Sequence, residues 1–410
     1  MTPKRVSIAV LVLAAMCGMS PWFASAAVLP DMVREGAIGA ARQALLSSAV
    51  QAGFVVGALV VSISGIADRF DPRRVFAVSA VLAGLANATL LVAPLGGDVA
   101  IGARFLTGAC LAGVYPVGMK IAVGWGKSDR GLLVGLLVAA LTMGSASPSL
   151  VAFLGGTGWR PTIIATSLFA GLGGLIVLIA QLGPHHALAS RFEPGAIRLA
   201  WTDERIRRAY LGYFGHMWEL YAMWAWVGTA ATLSYAMRLD QPAAESLGKL
   251  SAFLAIGLGA FICVPAGWIA DRVGKANVTI VAMLASGSAA LLTALTFGGP
   301  VWLTFVLVIV WGLAVIPDSA QFSAIVADSA PPHLAGSLLT FQTAIGFALT
   351  IVTVQVTPLA AGFFGWPAVL AAMAIGPALG VFAMLPLRRL GRAVTATAGP
   401  TGQGRGPDSI

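Results

Sequence analysis

Long stretches of this chain carry no charge. Residues 6–30, 43–67, 75–97, 131–159 and 161–190 contain no Asp, Glu, Lys or Arg, and neither do 250–270, 276–317 and 329–387. A helix that crosses a bilayer needs about 20 apolar residues. Several runs are long enough for one such helix, and the two longest hold two. Gly96-Gly97, Gly155-Gly156, Gly298-Gly299-Pro300 and Gly365-Trp366-Pro367 punctuate the joins, as turn residues do. The pattern predicts an all-α membrane protein with twelve transmembrane helices: 6–30, 43–67, 75–97, 99–120, 131–155, 161–183, 209–237, 247–270, 276–297, 300–327, 336–360 and 365–387. They divide into two six-helix bundles, 1–183 and 209–390, joined by a polar linker at 184–208. The linker has room for a short amphipathic helix on the membrane surface. The tail, 391–410, is rich in Gly, Thr and Pro and reads as disordered.

The first apolar run has a second reading. Lys4-Arg5, an apolar stretch and Ala24-Ser25-Ala26 resemble a secretory signal with its cleavage site. The apolar stretch continues to Pro30, which is long for a signal, so the segment is expected to stay as the first membrane helix.

Composition agrees with the pattern. Charged residues make up 10% of the chain against 58% hydrophobic, where soluble domains carry about 25% charged. This excludes a soluble enzyme, a fibrous or disordered chain and a secreted disulfide scaffold. The net charge is +9, but the basic residues are scattered through short loops, which argues against nucleic acid as a partner. Of the 25 Lys and Arg, eighteen fall in alternate loops that include both termini, five in the other loops, and Arg104 and Lys120 within a helix. Cytoplasmic loops collect positive charge, so both termini are expected in the cytoplasm. Trp125, Trp159, Trp201, Trp268, Trp302 and Trp366 fall near helix ends, where indoles favour the interface. Cys17, Cys110 and Cys263 lie far apart in apolar runs and read as packing residues. No metal site, cofactor or phosphate-binding loop is expected, and ATP-driven pumping is excluded with it.

The two halves share a motif. Ile66-Ala67-Asp68-Arg69 follows the second predicted helix, and Ile269-Ala270-Asp271-Arg272 follows the eighth, almost half the chain later. On these residues the chain resembles the major facilitator superfamily along its whole length. That family's loop signature runs Gly-x-x-x-Asp-Arg-x-Gly-Arg-Arg. The copy from Gly267 matches as far as Lys275, whereas the first copy has Ser64 and Asp71 in place of the glycines and an extra Pro72. The resemblance implies a transporter of two bundles rocking about a central site. It also implies that Asp68, Arg69, Arg74, Asp271 and Arg272 latch the halves in the outward-open state; the bland alternative is a basic turn. Arg104-Phe105-Leu106-Thr107-Gly108 matches the family's Arg-x-x-x-Gly in the fourth helix, an Arg the family links to proton transfer. An Arg inside a membrane helix costs at least ~2.5 kcal/mol, so it faces protein or water, or snorkels to the boundary. Gly144-Ser145-Ala146-Ser147-Pro148 keeps part of an exporter signature, or simply packs closely. The resemblance runs nearest to bacterial members around the cyanate and nitrate porters, although the second and eighth helices lack the buried Arg of nitrate porters.

Ionisable groups inside a membrane are functional candidates. The seventh predicted helix has the densest set. Glu219 lies roughly ten residues in, or ~15 Å, near the midplane. Its desolvated carboxyl suits a proton carrier, or else a buried ion pair. His216, three residues earlier, is positioned to share a proton or a substrate ammonium with it. Trp218 and Tyr221 offer an aromatic wall, and Trp22 in the first helix lines the opposite side. Asp318 and Gln321 in the tenth helix, Tyr115 in the fourth and Gln342 in the eleventh complete the candidate cavity. The leading reading is a monomeric, proton-coupled secondary transporter in the bacterial inner membrane. It moves a small polar or anionic metabolite, with protons and the bilayer as its other partners. Export of amphiphilic drugs by proton antiport, and a non-transporting ligand sensor, are the alternatives.

Overall fold

A computed structural model of the chain describes residues 2–126, 129–156, 158–185, 193, 195–331 and 333–397, without the side chains of 67, 68, 130 and 389–397. Every regular element among these residues is helical. The first half comprises α1 (Pro3–Met19), α2 (Ala24–Ala27), α3 (Leu29–Gly36), α4 (Ala40–Ser64), α5 (Ile66–Arg69), α6 (Pro72–Ala88), α7 (Asp98–Leu111), α8 (Tyr115–Val123), α9 (Arg130–Leu154) and α10 (Arg160–Ile176). After the short α11 (Ala196–Thr202) come α12 (Glu204–Tyr235), α13 (Gln241–Val273), α14 (Lys275–Leu295), α15 (Val301–Val315), α16 (Ser319–Ser329), α17 (Ala335–Phe364), α18 (Trp366–Met373) and α19 (Ile375–Thr397). The predicted disordered tail lies outside the described residues from 398 onward; its first seven residues continue α19.

Among the described residues, ten helices are long and apolar enough to cross a membrane. Two of the predicted twelve fall short, for different reasons. The first is not one helix: α1 ends at Met19, and the turn at Ser20–Phe23, which contains Pro21, separates it from α2 and α3. The seventh, α12, has the length at 32 residues, but Glu219 and its Trp and Tyr residues dilute its hydropathy. α12 also begins at Glu204, earlier than the predicted 209, because the Asp203 carboxylate accepts from Ile206 N at 2.9 Å and caps the first turn. Asp240 does the same for α13, accepting from Ala243 N at 2.9 Å.

The predicted twelfth helix is interrupted at Ala374, between α18 and α19, and two others are each broken once at matching places in the two halves. α7 gives way to α8 at Ala112–Val114, and α15 to α16 at Ile316–Asp318. Such discontinuities free backbone polar groups that cannot reach water in a membrane. The two halves meet along α9 against α13 and α4 against α17.

Within the first half, α4 and α7 approach until their backbones touch. A Cβ on Gly53 would lie 1.8 Å from Phe105 O, and one on Gly108 would lie 1.9 Å from Val50 O. This is the close approach that small residues permit between membrane helices, and it accounts for the Gly of the Arg-x-x-x-Gly motif. We predict that Gly108→Ala destabilises the protein by about 1–3 kcal/mol, the usual range for overpacking, seen as a lower Tm in detergent. Gly102→Ala, which would meet nothing within 4 Å, is expected to leave Tm unchanged.

Candidate substrate-binding site

The break in the first helix is held by Arg104. Residues 20–23 are not helical, so the carbonyls around the turn lose their usual partners. Arg104 Nη1 donates to Pro21 O at 2.9 Å and to Asn87 Oδ1 at 2.9 Å, and Nη2 donates to Trp22 O at 2.5 Å. The side chain is fully buried, so it does not snorkel. No described carboxylate pairs with it; its acceptors are two carbonyls and an amide. That arrangement positions backbone and offers no titratable partner for proton transfer.

The turn that Arg104 pins places Trp22 in a buried cluster of rings drawn from both halves. Trp22 packs on Phe54 of α4 at 4.8 Å between centroids, and on Tyr221 of α12 and Phe347 of α17, each at 5.8 Å. Phe54 and Phe347 meet at 4.7 Å, and Tyr221 and Phe347 at 5.1 Å. Phe23 and Trp224 extend the cluster, each 6.0 Å from its neighbour. The Nε1 atoms of Trp22 and Trp224 are buried without a hydrogen-bond partner in the protein.

Beside these rings lies a polar layer. His216 Nδ1 is 3.0 Å from Asp318 Oδ1, and both side chains are almost wholly buried. The two atoms are not aligned for a hydrogen bond, and His216 Nε2 has no partner either. Gln342 is fully buried, with neither amide atom bonded. Tyr210 Oη donates to Leu338 O and Trp226 Nε1 to Val354 O, which sets α12 and α17 side by side with a common offset of 128 residues. Gly346 of α17 is in contact with Tyr213 and Met217, and Gln342 is one helical turn away on the same face. Tyr213 and His216 both pack on Phe322 of α16, with Gln321 buried next to it. Tyr115 packs half-buried against the same core.

Glu219 makes no hydrogen bond to this layer. Its Oε1 accepts from Trp311 Nε1 at 2.7 Å and its Oε2 from Ser286 Oγ at 2.9 Å. It is therefore enclosed within the second half, between α12, α14 and α15. The predicted sharing of a proton between Glu219 and His216 is replaced by two separate contacts. Positions three apart on a helix differ by about 60° in direction, enough to send one side chain to α16 and the other to α14 and α15. Trp218 also points away, donating to Ala372 O of α18 at 3.1 Å. Sequence reasoning placed Trp224 with the aromatic residues of the seventh helix but missed Phe54 and Phe347 from the ring cluster, and Asn87, Ser286 and Trp311 as partners. Of those missed, only Trp311, a rare residue in the middle of a helix, gave a signal.

The repeated loops differ from expectation. The Asp68 side chain lies outside the described residues. The carboxylate that caps α6 is Asp71, which accepts from Arg73 N at 2.9 Å and pairs with the Arg73 guanidinium at 2.6 Å. That guanidinium holds the Asp71 carboxyl below the usual range. Arg69, Arg74, Asp271 and Arg272 are exposed, and Arg272 lies over the Trp268 ring at 3.2 Å. Among the described residues, none of them makes an ion pair across the two halves.

The model of the Major Facilitator Superfamily matches residues 11–354. The chain belongs to this family. A gallate transporter of Pseudomonas putida is 30% identical over 143 residues. That match covers 31% of this chain and 31% of the transporter, so the chain spans under a third of the curated relative it matches. Among solved structures, the fold is shared with the nucleoside transporter NupG, at TM-score 0.70 and 14% identity, over 94% of this chain and 100% of that one. It is shared too with a bacterial homologue of the human lysosomal transporter Spinster in an inward-facing, unoccupied conformation, at TM-score 0.74 and 12% identity, over 95% and 98%. The chain is a multi-pass membrane protein of the Major Facilitator Superfamily.

Arg104→Gln leaves at least one buried carbonyl unpaired, and we predict a loss of roughly 2–5 kcal/mol, read as a lower Tm and altered tryptophan fluorescence. Arg104→Lys, which lacks the planar fork, is expected to recover only part of the loss. A wild-type Tm in Arg104→Gln would sink this role.

Proposed function

We propose that the protein is a proton-coupled secondary transporter of a small anionic or polar metabolite. In this reading α1–α3 and α12 also cross the bilayer, completing twelve spans with both termini in the cytoplasm of a bacterial inner membrane. The observation that carries it is the polar layer beside the rings. His216, Asp318 and Gln342 are buried, yet five of their polar atoms have no hydrogen-bond partner in the protein. Unpaired buried polar atoms are costly, and a small molecule with a carboxylate or hydroxyl would engage them. The rings of Trp22, Phe54, Tyr221 and Phe347 supply flat apolar walls, which favour a planar molecule. The gallate transporter, by its name, handles such a planar acid.

For the proton, His216 and Asp318 are the better-placed pair. Their contact at 3.0 Å joins α12 to the broken α15–α16 helix. Glu219 already has two donors, so it serves as a second ionisable group inside the same half. The drug-export reading gains no support from this arrangement, because the enclosed site carries polar groups in its wall.

Reconstitution into liposomes tests this. Wild type is expected to accumulate a small aromatic or aliphatic acid from a panel when a pH gradient is imposed, and to stop when a protonophore collapses it. Asp318→Asn is expected to abolish gradient-driven accumulation while retaining exchange of labelled for unlabelled substrate. Accumulation indifferent to the protonophore overturns proton coupling, and a coupled Asp318→Asn overturns the assignment to this pair.

A further inference from the structure

Among the described residues, the ion pairs between the two halves gather at one end of the molecule. Lys249 of α13 is 2.8 Å from Asp31 Oδ2 of α3 and also donates to Gly156 O, beyond α9, at 3.1 Å. Arg34 of α3 is 2.5 Å from Glu245 Oε1 of α13 and pairs with Asp31. Gln241 donates to the same Glu245 oxygen at 2.8 Å. The side chains of Asp31, Glu245 and Lys249 are at most 9% exposed. At the other end, ion pairs among the described residues stay within one half: Lys4 with Asp129 and Arg73 with Asp71 in the first, Lys275 with Asp328 and Arg208 with Glu204 in the second.

Buried ion pairs are a poor means of fixing a permanent interface, since desolvation offsets most of the attraction. They suit a contact that opens, because separated charges recover their hydration. This set also sits on a distinctive piece of chain. The segment that begins at the Arg104-pinned turn carries Trp22 and Phe23 among the rings, then runs through α2 and α3 to Asp31 and Arg34. A small cavity of about 20 Å³ lies between rings and ion pairs, lined by Phe23, Pro30, Trp224, Thr229, Glu245 and Lys249 among others. Trp224 Nε1 is unpartnered there.

We propose that Asp31, Arg34, Glu245 and Lys249 form a latch that shuts the α3 end of the transport path, and that a molecule entering the ring cluster releases it by shifting Trp22 and Phe23 and, through α2 and α3, the acidic and basic groups beyond. The latch rests on the reading that the two halves rock about the central site. It is distinct from the repeated loop motifs, which make no cross-half ion pair among the described residues.

The test uses a reporter cysteine, Thr229→Cys, in the full chain with Cys17, Cys110 and Cys263 replaced by Ser. A membrane-impermeant maleimide is applied to sealed vesicles of each orientation. In the parent the reporter is expected to be protected from the α3 side. Lys249→Met and Glu245→Gln are each expected to raise its labelling by at least about tenfold, as a population shift of that size requires. The exchanged pair Asp31→Lys with Lys249→Asp is expected to restore protection. Unchanged labelling in the single variants, or an exchanged pair that labels as fast as the singles while melting as a folded protein, overturns the latch. A second reporter, Thr343→Cys on α17, separates this from the transport reading. If the halves alternate, its labelling from the opposite face falls as that of Thr229→Cys rises. A rise at position 229 with no change at 343 keeps the ion pairs as a local seal and overturns the alternation.

Discussion

Everything near the centre of this transporter depends on how one interrupted helix satisfies its backbone. A membrane interior offers no water to accept from an amide or donate to a carbonyl. The turn at Ser20–Phe23 therefore needs donors from elsewhere in the chain, and Arg104 supplies them to Pro21 O and Trp22 O. Ser20 itself closes the remaining side, its hydroxyl donating to Cys17 O at 2.8 Å. With the turn held, Trp22 is fixed among rings from the opposite half, and α3 is delivered to the charged groups of α13. Remove the guanidinium and three features lose their common anchor.

The two halves use the same architecture for different ends. Both interrupt the helix after its midpoint, at Ala112–Val114 and Ile316–Asp318. The first half turns its buried cation, Arg104, towards backbone. The second keeps its ionisable groups, His216, Asp318 and Glu219, in contact with side chains. Under the proposed coupling, one half fixes backbone and the other holds the ionisable groups. The touching backbones of α4 and α7 add to the rigidity of the first.

Much of the architecture was legible in the sequence, because a bilayer demands uncharged runs of a fixed minimum length and the chain meets that demand in plain view. The helix breaks were less so. Pro21 and its neighbours are as apolar as the residues around them, and the polarity pattern does not register an interruption. At the site, His216, Asp318, Gln342, Trp22 and Tyr221 stood out as polar or bulky groups in the wrong solvent. Phe54 and Phe347 did not, since a phenylalanine facing a substrate and one facing lipid are the same letter. Arg104 was visible as a cost, but its acceptors are main-chain atoms that no side-chain motif encodes. Asp31, Arg34, Glu245 and Lys249 looked like ordinary loop and helix-end charges, because their meaning lies in partners some 211 to 218 residues away.

The interruption at Ser20–Phe23, which has no counterpart in α12, bears on kinetics. α12, the counterpart of the first helix in the repeat, runs unbroken from Glu204 to Tyr235. The two halves are parallel repeats and lie the same way up, so even true copies would present different gates to the two sides of the membrane. Here the bent segment and its charges belong to one gate alone. In the proposed transport cycle, unequal gates make the resting populations of the two forms unequal, and half-saturation measured from one face of the membrane then differs from that measured from the other. At equilibrium the driving gradients alone fix the accumulation ratio, so the asymmetry falls on rates and affinities.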